Sequence, residues 1–335
     1  MKIVFFEATL EEQKYFGEKL PNDDLVFSEE VLDENTEQNL NEIEIVSVFI
    51  YSKVSAKVLK KMPNLKLIIT RSTGFDHIDL AYAKENQITV TNVPAYGENT
   101  VAEHTFALIL ALSRKIVASS EHVRHNGDFS LEGLRGFDLE GKTIGIIGTG
   151  KIGSKVAKMA ASFDMKIVAY DQFKNEDLIR KYKVEYLPLK DVLAKSDVVS
   201  LNLRHTAETH HLINAETIEY IKPGTVLVNT ARGGLIDTPV LLPALDSGKL
   251  AGIGLDVLEE EGSVKEDIQL TSRQFTRRSL MVGLANALLV HKPNVIITPH
   301  NAFNSVEAFK RIMDTTIENI VSFEKGEPIN TVLAE

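Results

Sequence analysis

Three apolar runs of this chain end on charged residues that can move protons or bind a carboxylate. The run "NVIITPH" ends on His300, "TVLVNTARGG" leads into Arg232, and "AGIGLDVLEEE" leads into Asp256 and three glutamates. A histidine exchanges protons near neutral pH, and an arginine can bind a carboxylate through two parallel hydrogen bonds. We therefore predict a site that transfers a proton beside a bound carboxylate, with one glutamate orienting the imidazole.

Each of these residues also has a purely structural explanation when it is taken alone. Arg232 could lie on the surface of a glycine turn, the glutamates could form a solvated face, and His300 could cap a turn after proline. The residues themselves do not select which glutamate pairs with His300. Their joint occurrence beside a phosphate-binding loop favours the chemical interpretation.

The segment "TIGIIGTGKIGSKVAKMAASFDMKIVAYD" has the glycine spacing of a dinucleotide-binding loop. Gly148, Gly150 and Gly153 follow an apolar strand and precede a helical pattern, and Asp171 ends the next strand. Such glycines allow a tight turn, a close approach of a pyrophosphate and close packing of helix on strand. An acidic residue at the position of Asp171 accepts hydrogen bonds from the ribose, which favours NAD. Lys174 leaves NADP open as an alternative.

Composition excludes several classes of protein. The chain has 335 residues, 44% of them hydrophobic, and a net charge of −10, so it is predicted to be globular and to have no nucleic acid partner. It contains no cysteine, which removes disulfides and thiolate nucleophiles. The first residues lack a signal-peptide core, and no uncharged stretch is long enough to span a bilayer. We therefore expect a cytoplasmic protein with no membrane partner.

The elements that would position these residues alternate between strand-length apolar runs and helical patterns. "KIVFF", "IVSVFI", "LKLII" and "ITVTNV" predict one set of strands, and "TIGIIG", "MKIVAY", "DVVSLNL", "TVLVNT", "AGIGLDV" and "NVIITPH" predict a second. This rhythm indicates an α/β fold with two doubly wound, Rossmann-like parallel sheets. We place a dinucleotide-binding domain over residues 100–300, inserted in a discontinuous domain of residues 1–99 and 301–335.

Two long helices are predicted at the junctions between these domains. "NTVAEHTFALILALSRKIVASSEHV" has helical spacing over roughly 25 residues and is predicted to cross from one domain to the other. The last helix is predicted to start at Asn304 or Ser305 and to close at Gly326. The helix beginning near Thr100 offers a surface through which two copies could form a homodimer.

Six segments carry a family pattern in a fixed order along nearly the whole chain. They are "TRSTGFDHIDL", "TNVPAYGENTVAEHTFALILAL", "GKTIGIIGTGKIGSKVA", "VLVNTARGGLID", "GLDVLEEE" and "ITPHNAF". Together they resemble the D-2-hydroxyacid dehydrogenase family. Within it, the long stretch between "LDVLEEE" and "TPH" and the aromatics of "NVPAYG" and "HNAF" are most similar to the D-lactate dehydrogenase branch.

The resemblance implies an enzyme that reduces a small 2-keto acid with NADH to the D-2-hydroxy acid, most simply pyruvate to D-lactate. A hydroxypyruvate or glyoxylate reductase of the same family is the first alternative. These substrates differ from pyruvate by one methyl or hydroxyl group, and a small pocket decides which of them is bound. An NADH-sensing binding protein, similar to the corepressors that share this fold, is the second alternative.

The resemblance also implies roles for individual residues, and we predict no metal site because no carboxylate lies at metal-ligand spacing with the paired histidines. The family's catalytic residues fall on Arg232 and His300, with Glu261, five residues past Asp256, as the partner of the histidine. The implied substrate-binding residues are Tyr51, Thr73, Gly74, Tyr96 and Phe303. The implied cofactor-binding residues, besides the three glycines and Asp171, are Val101, Lys151, Ile152, Leu203, Arg204, Thr209, Thr230, Ala231 and Asp256. Arg204 stands where the family usually has a proline, and Gly262 where a proline often follows the glutamate.

Overall fold

The computed structural model describes residues 1–127, 129–260 and 276–332, which divide into two compact units. The first unit comprises Met1–Tyr96 and Asn304–Glu335, and the second comprises Gly97–Phe303. The junctions thus fall after residues 96 and 303, where the sequence placed them after residues 99 and 300. The predicted fold class, two parallel-sheet α/β domains with one inserted in the other, is confirmed.

The first unit is built on a five-stranded parallel sheet in the order β2-β1-β3-β4-β5. Its strands are β1 (Lys2–Phe5), β2 (Asp24–Phe27), β3 (Ile45–Val48), β4 (Leu67–Thr70) and β5 (Thr89–Thr91). Its helices are α1 (Leu10–Lys19), α2 (Ala56–Leu59), α3 (Leu80–Glu85) and α11 (Val306–Glu324). Every residue of β3 and β4 is buried, as expected for central strands covered by helices on both faces.

The second unit is built on a seven-stranded parallel sheet in the order β12-β11-β10-β9-β6-β7-β8. Its strands are β6 (Thr143–Ile147), β7 (Lys166–Tyr170), β8 (Glu185–Tyr186), β9 (Val198–Leu201), β10 (Thr225–Asn229), β11 (Leu250–Leu255) and β12 (Val295–Ile297). The strand order reverses between β6 and β9, and ligands of such sheets bind outside the carboxyl ends of the strands at that point.

The helices of the second unit flank this sheet. They are α4 (Glu98–Ser113), α5 (Ile116–Asn126), α6 (Lys151–Ser162), α7 (Glu176–Tyr182), α8 (Leu189–Lys195), α9 (Leu241–Asp246) and α10 (Arg277–Val290), with 3₁₀ turns at Thr217–Tyr220, Gly233–Leu235 and Thr238–Val240. Within the described ranges, no helix is both long and apolar enough to cross a bilayer.

All ten predicted strands are present, whereas two short strands had no strong signal. These two are β2 and β8, which lie at the edges of the two sheets. Successive side chains along β1 and the residue after it point to opposite faces of the sheet. Ile3 and Phe5 pack in one apolar cluster of the first unit, and Val4 and Phe6 pack in the other. The apolar runs therefore identify all eight central strands and also the edge strands β5 and β12.

The prediction of one long helix after residue 98 was wrong. The segment forms two helices, α4 and α5, and both belong to the second unit. Lys115 between them has a φ of 55°, in the left-handed region, which an α-helix cannot contain. The carbonyl of Ser113 accepts a hydrogen bond from Phe137 N at 2.9 Å, so a distant loop binds the end of α4. No residue type at the break signals this contact.

The prediction for the last helix is confirmed. Ser305 precedes α11, and its side-chain oxygen accepts a hydrogen bond from Ala308 N at 3.1 Å, as an N-cap should. The helix ends before Gly326, which has a φ of 81°. Met313 and Ile320 on this helix pack in an apolar cluster of the first unit.

Candidate functional site

The loop between β6 and α6 has the backbone that its three glycines predict. A Cβ at Gly148, where φ is 96°, would lie 2.8 Å from the backbone of Asn202. A Cβ at Gly153 would lie 1.9 Å from the carbonyl oxygen of Gly148, so only glycine permits this packing of helix on strand. At Gly150 no atom lies within 4 Å of the added Cβ. The open side at Gly150 leaves room for a phosphate at the start of α6.

Asp171 lies directly after β7, beside this loop. Its Oδ2 accepts hydrogen bonds from the backbone nitrogen and the hydroxyl of Thr149 at 2.6 and 3.0 Å. Thr149, Gly150 and Asp171 line one open cavity of about 650 Å³, together with Phe173, Lys174, Asn175, Glu176 and Asp177. A glycine loop and a carboxylate in one cavity fit the pyrophosphate and ribose of a dinucleotide. Lys174 borders the same cavity.

The residues predicted for catalysis follow three neighbouring strands. Arg232 follows β10, Asp256 follows β11 and His300 follows β12, and these strands pair in parallel in that order. Parallel neighbours end at the same edge of a sheet, so the predicted residues belong to one edge. Glu261, the predicted partner of the histidine, lies outside the described residues.

Asp256 holds the turn that carries His300. Its carboxylate is 1% exposed and accepts hydrogen bonds from Thr298 Oγ1 at 2.5 Å, from Asn301 N at 3.0 Å and from Ala302 N at 2.9 Å. Its carbonyl oxygen accepts a fourth, from His300 N at 2.9 Å. His300 has a φ of 52°, a backbone conformation rare outside glycine, so the turn depends on such contacts. The predicted contact of Asp256 with the cofactor stays a prediction.

Two residues of α4 that were not predicted for the site also contact these strand ends. His104 Nε2 lies 3.1 Å from Thr298 Oγ1 and 3.5 Å from Asp256 Oδ1. The hydroxyl of Thr105 lies 2.8 Å from that of Thr230 and donates to the carbonyl oxygen of Val101. The position of this His-Thr pair directly before the apolar run "FALILAL" was the available signal for both contacts.

The backbone around Arg232 is fixed by contacts on both sides. The buried side chain of Asn229 donates to the carbonyl oxygen of Arg232 at 2.8 Å, and Arg232 Nη1 donates to the carbonyl oxygen of Ala231 at 2.7 Å. A Cβ at Gly233 would lie 2.1 Å from the backbone of Leu258, so the glycine turn packs directly on the segment after Asp256. The two predicted segments are therefore in contact.

Glu259 is the first glutamate of the acidic run, and it is buried rather than solvated. Its carboxylate accepts hydrogen bonds from Arg278 Nη2 and His211 Nε2, each at 2.8 Å, and from Thr238 N at 3.1 Å. Burial raises its pKa, but these hydrogen bonds outweigh that effect and hold the pKa below the usual value. Nη2 of Arg278 also binds Asp237, so a cation already lies where His211, Asp237 and Glu259 converge.

The remaining predicted cofactor residues lie near the glycine loop or on exposed turns of the second unit. Leu203 Cδ2 is 2.9 Å from the position of a Cβ on Gly148, so Leu203 borders the loop. The hydroxyl of Thr209 donates to the carbonyl oxygen of Arg204 at 2.7 Å, which closes an exposed turn after β9. Lys151 Nζ, at the start of α6 before Ile152, forms an ion pair with Glu98 at 3.0 Å.

The predicted substrate residues of the first unit also follow neighbouring strands. Tyr51 follows β3, Thr73 and Gly74 follow β4, and Tyr96 follows β5. Thr73 is held on both sides, because its hydroxyl donates to the carbonyl oxygen of Val93 and its own carbonyl accepts from Asn92 Nδ2, both at 2.9 Å.

The last two residues predicted to bind substrate, Tyr96 and Phe303, belong to different units. The carbonyl oxygen of Tyr96 accepts from Arg311 Nε at 2.8 Å, so α11 fixes the loop after β5. Phe303, the predicted aromatic of the second unit, lies with Val101 beside Gly97. The Cβ of Phe303 would lie 3.6 Å from a Cβ on Gly97, and the Cγ2 of Val101 would lie 3.5 Å from it.

Comparison with known proteins agrees with this geometry. Residues 106–302 match the family described as D-isomer specific 2-hydroxyacid dehydrogenase, NAD binding domain. D-lactate dehydrogenase of Escherichia coli K12 is 34% identical, covering 98% of both chains. Glyoxylate reductase of Korarchaeum cryptofilum is 35% identical, covering 84% of this chain and 80% of that protein.

Solved structures show the same similarity in three dimensions. A crystal structure of D-lactate dehydrogenase from Aquifex aeolicus, complexed with NAD and lactic acid, has a TM-score of 0.89 and 40% sequence identity, covering 99% of both chains. The family's cofactor is NAD, which the glycine loop and Asp171 fit. The chain belongs to the D-isomer-specific 2-hydroxyacid dehydrogenase family.

Proposed function

We propose that the protein reduces a small 2-keto acid to the D-2-hydroxy acid with NADH, and that pyruvate, giving D-lactate, is the main substrate. The observation that carries the proposal is the turn of His300, which a buried carboxylate fixes at the edge that also bears Arg232. Four hydrogen bonds to Asp256 hold this turn, with His300 at a φ of 52°. NADH, when bound, supplies the hydride that reduces the carbonyl carbon.

In this proposal the protein binds the keto acid and supplies one proton. Arg232 binds the substrate through its planar guanidinium, a geometry that lysine cannot reproduce. The backbone amides of Thr73 and Gly74 bind the substrate carboxylate. Protonated His300 donates its proton to the carbonyl oxygen during reduction and takes it back during oxidation. Glu261 orients the imidazole and favours its protonated form, so Glu261→Gln is expected to move the pH optimum of reduction downward.

The other predicted contacts belong to the same proposal. Tyr51, Tyr96 and Phe303 are proposed to lie beside the keto acid. The cofactor contacts outside the glycine loop and Asp171 are proposed for Val101, Lys151, Ile152, Leu203, Arg204, Thr209, Thr230, Ala231 and Asp256. A cytoplasmic location stays a prediction.

Substrate choice is the finer part of the proposal. The lactate and glyoxylate enzymes among the relatives are equally similar to this chain, at 34% and 35% identity. The 40% identity with the Aquifex enzyme, which was solved with lactic acid, supports pyruvate and D-lactate. A methyl group in a small pocket changes kcat/KM about 10- to 200-fold, so the pocket walls decide the substrate.

The test measures NADH consumption with pyruvate, hydroxypyruvate, glyoxylate and 2-ketobutyrate in parallel, and then with NADPH. Preference for pyruvate with NADH is the expected result. Preference for glyoxylate or hydroxypyruvate would support the proposed reaction but contradict pyruvate as the main substrate. Binding of NADH without turnover of any of the four acids would contradict the enzymatic proposal and favour an NADH-sensing binding protein.

The proposed homodimer is supported by an apolar surface on α5 and the residues after it. Ile116, Val117 and Val123 are exposed on this helix, and Phe129 and Leu131 beyond it are 81% and 84% exposed. Exposed apolar patches of this kind mark interaction surfaces. The double variant Val117→Glu, Val123→Glu should be monomeric in light scattering, whereas the matched double variant Leu280→Glu, Leu284→Glu on exposed α10 should leave the dimer intact. A monomeric α10 variant together with a dimeric α5 variant would show that the interface lies on α10 instead.

A further inference from the structure

The carboxylate of Glu7 binds the loop that carries Tyr51. Glu7 follows β1, and the loop of residues 49–52 follows β3, the neighbouring parallel strand. Oε1 accepts a hydrogen bond from Tyr51 N at 2.9 Å. Oε2 accepts three, from Phe49 N at 2.9 Å, Ser52 N at 3.1 Å and Ser52 Oγ at 2.5 Å. Both carboxylate oxygens are therefore needed to hold the loop.

Glu7 is itself fixed by the buried side chain of Arg71. Glu7 has a φ of 54°, and Arg71 Nη2 donates to the carbonyl oxygens of Phe6 and Glu7 at 2.7 and 2.9 Å. Arg71 Nε donates to Glu12 at 3.1 Å, so its charge is paired although the side chain is fully buried. Arg71 follows β4, two residues before Thr73. One guanidinium thus links the Glu7 turn to the loop proposed to bind the substrate carboxylate.

We propose that Glu7 is a positioning residue for substrate specificity, because its two oxygens set the place of Tyr51 in the pocket wall. This inference rests on the proposed function, in which Tyr51 lies beside the keto acid. Hydrogen bonds to an ionised carboxylate are roughly twice as strong as neutral ones, which suits a clamp on three amides.

Glu7→Gln is the direct test, since it keeps the shape and replaces one acceptor oxygen by an NH₂ group. That group would face an N–H donor of the loop, either at Tyr51 or at Phe49 and Ser52. The control is Glu44→Gln, because Glu44 also accepts from a backbone amide of this sheet, Lys2 N at 3.1 Å, but before the strands begin rather than after they end. Both variants lose one charge.

The measured quantity is the ratio of kcat/KM for pyruvate to that for 2-ketobutyrate. We expect Glu7→Gln to change this ratio about tenfold, mainly through KM for the keto acid, with KM for NADH unchanged. Glu44→Gln should leave the ratio within twofold of the wild type. Tyr51→Ala should also change the ratio, and adding Glu7→Gln to Tyr51→Ala should change it no further, because Glu7 acts through Tyr51. Ser52→Ala, which removes one of the four hydrogen bonds, should move the ratio in the same direction by less.

Three results would overturn the inference. They are an unchanged ratio in Glu7→Gln, an unchanged ratio in Tyr51→Ala, and a full effect of Glu7→Gln in the Tyr51→Ala background. If Glu7→Gln does not fold, Ser52→Ala decides in its place, and an unchanged ratio there overturns the inference. These failures differ from failure of the proposed function, in which the wild-type protein would turn over neither acid.

Discussion

The glycine loop and the His300 turn lie in the same unit but are built in opposite ways. The loop of residues 148–153 is shaped by missing side chains, since a Cβ at Gly148 or Gly153 would meet the backbone. The turn of residues 298–302 is shaped by a side chain, the carboxylate of Asp256. It binds the amides of Asn301 and Ala302, which are 45 and 46 residues away in sequence. The glycine spacing of the loop is therefore a local sequence pattern, whereas the turn proposed to present the proton donor depends on a long-range contact.

The largest expected effect comes from removing the group that the turn presents. His300→Ala should lower kcat by about 10²- to 10⁴-fold, the usual contribution of a general acid, and should leave NADH affinity unchanged because the glycine loop is intact. Steady-state kinetics and NADH titration measure the two effects. His291→Ala, at the exposed end of α10, is the matched control. Full activity of His300→Ala would remove the residue from the mechanism.

Asp256→Asn should weaken the turn without removing the imidazole. A displacement of about 1 Å at a reacting group can lower the rate about 10²-fold, so we expect a loss of kcat up to that size. An unpaired buried amide costs about 1–3 kcal/mol, so the free energy of unfolding should fall by that order in urea titration. Asp246→Asn, which breaks an exposed pair with Lys292, should cost less than about 1 kcal/mol. Equal effects of both substitutions would disprove a special role for Asp256.

Two glycine substitutions separate folding from cofactor binding in the loop. Gly150→Ala has space in the protein alone, so its thermal stability should match the wild type while NADH affinity falls about tenfold or more. Gly153→Ala would overlap the carbonyl of Gly148 and should lower the free energy of unfolding by about 1–3 kcal/mol as well as NADH affinity. Retained NADH affinity in Gly150→Ala would show that no phosphate approaches there.

The smallest expected effect concerns the buried Glu259 and appears only in acid. Its pKa in the folded protein lies below the ordinary 4.5, so its charge stabilises the fold above that pH, and this contribution is lost as pH falls through the lowered pKa. Glu259→Gln should therefore flatten the decline of the unfolding free energy below about pH 5. Urea titrations between neutral and acid pH measure the slope. Identical slopes for both proteins would contradict the assigned hydrogen bonds.

The sequence could predict the features that depend on local patterns, but not those that depend on long-range contacts. The glycine spacing, Asp171 and the apolar runs are local patterns, and they led to the fold class, the cofactor and ten of the twelve strands. The contacts of Asp256 with residues 301 and 302, and of Glu7 with residues 49 to 52, join distant segments. No spacing rule connects such residues, so their positioning roles emerge only from the folded chain.

The break between α4 and α5 was the misjudged region. The local sequence favoured a continuous helix, whereas the end of α4 binds Phe137 N from a distant loop. The contact of Glu259 with Arg278 of α10 is of the same kind, because no local pattern connects the two residues.

The central claim is that the protein reduces a 2-keto acid with NADH to the D-hydroxy acid. Its most direct test is the configuration of the product, determined by chiral chromatography after the wild-type protein has consumed NADH with pyruvate. The account predicts D-lactate in an amount equal to the NADH oxidised. L-lactate, a racemic product or NADH oxidation without lactate would contradict it.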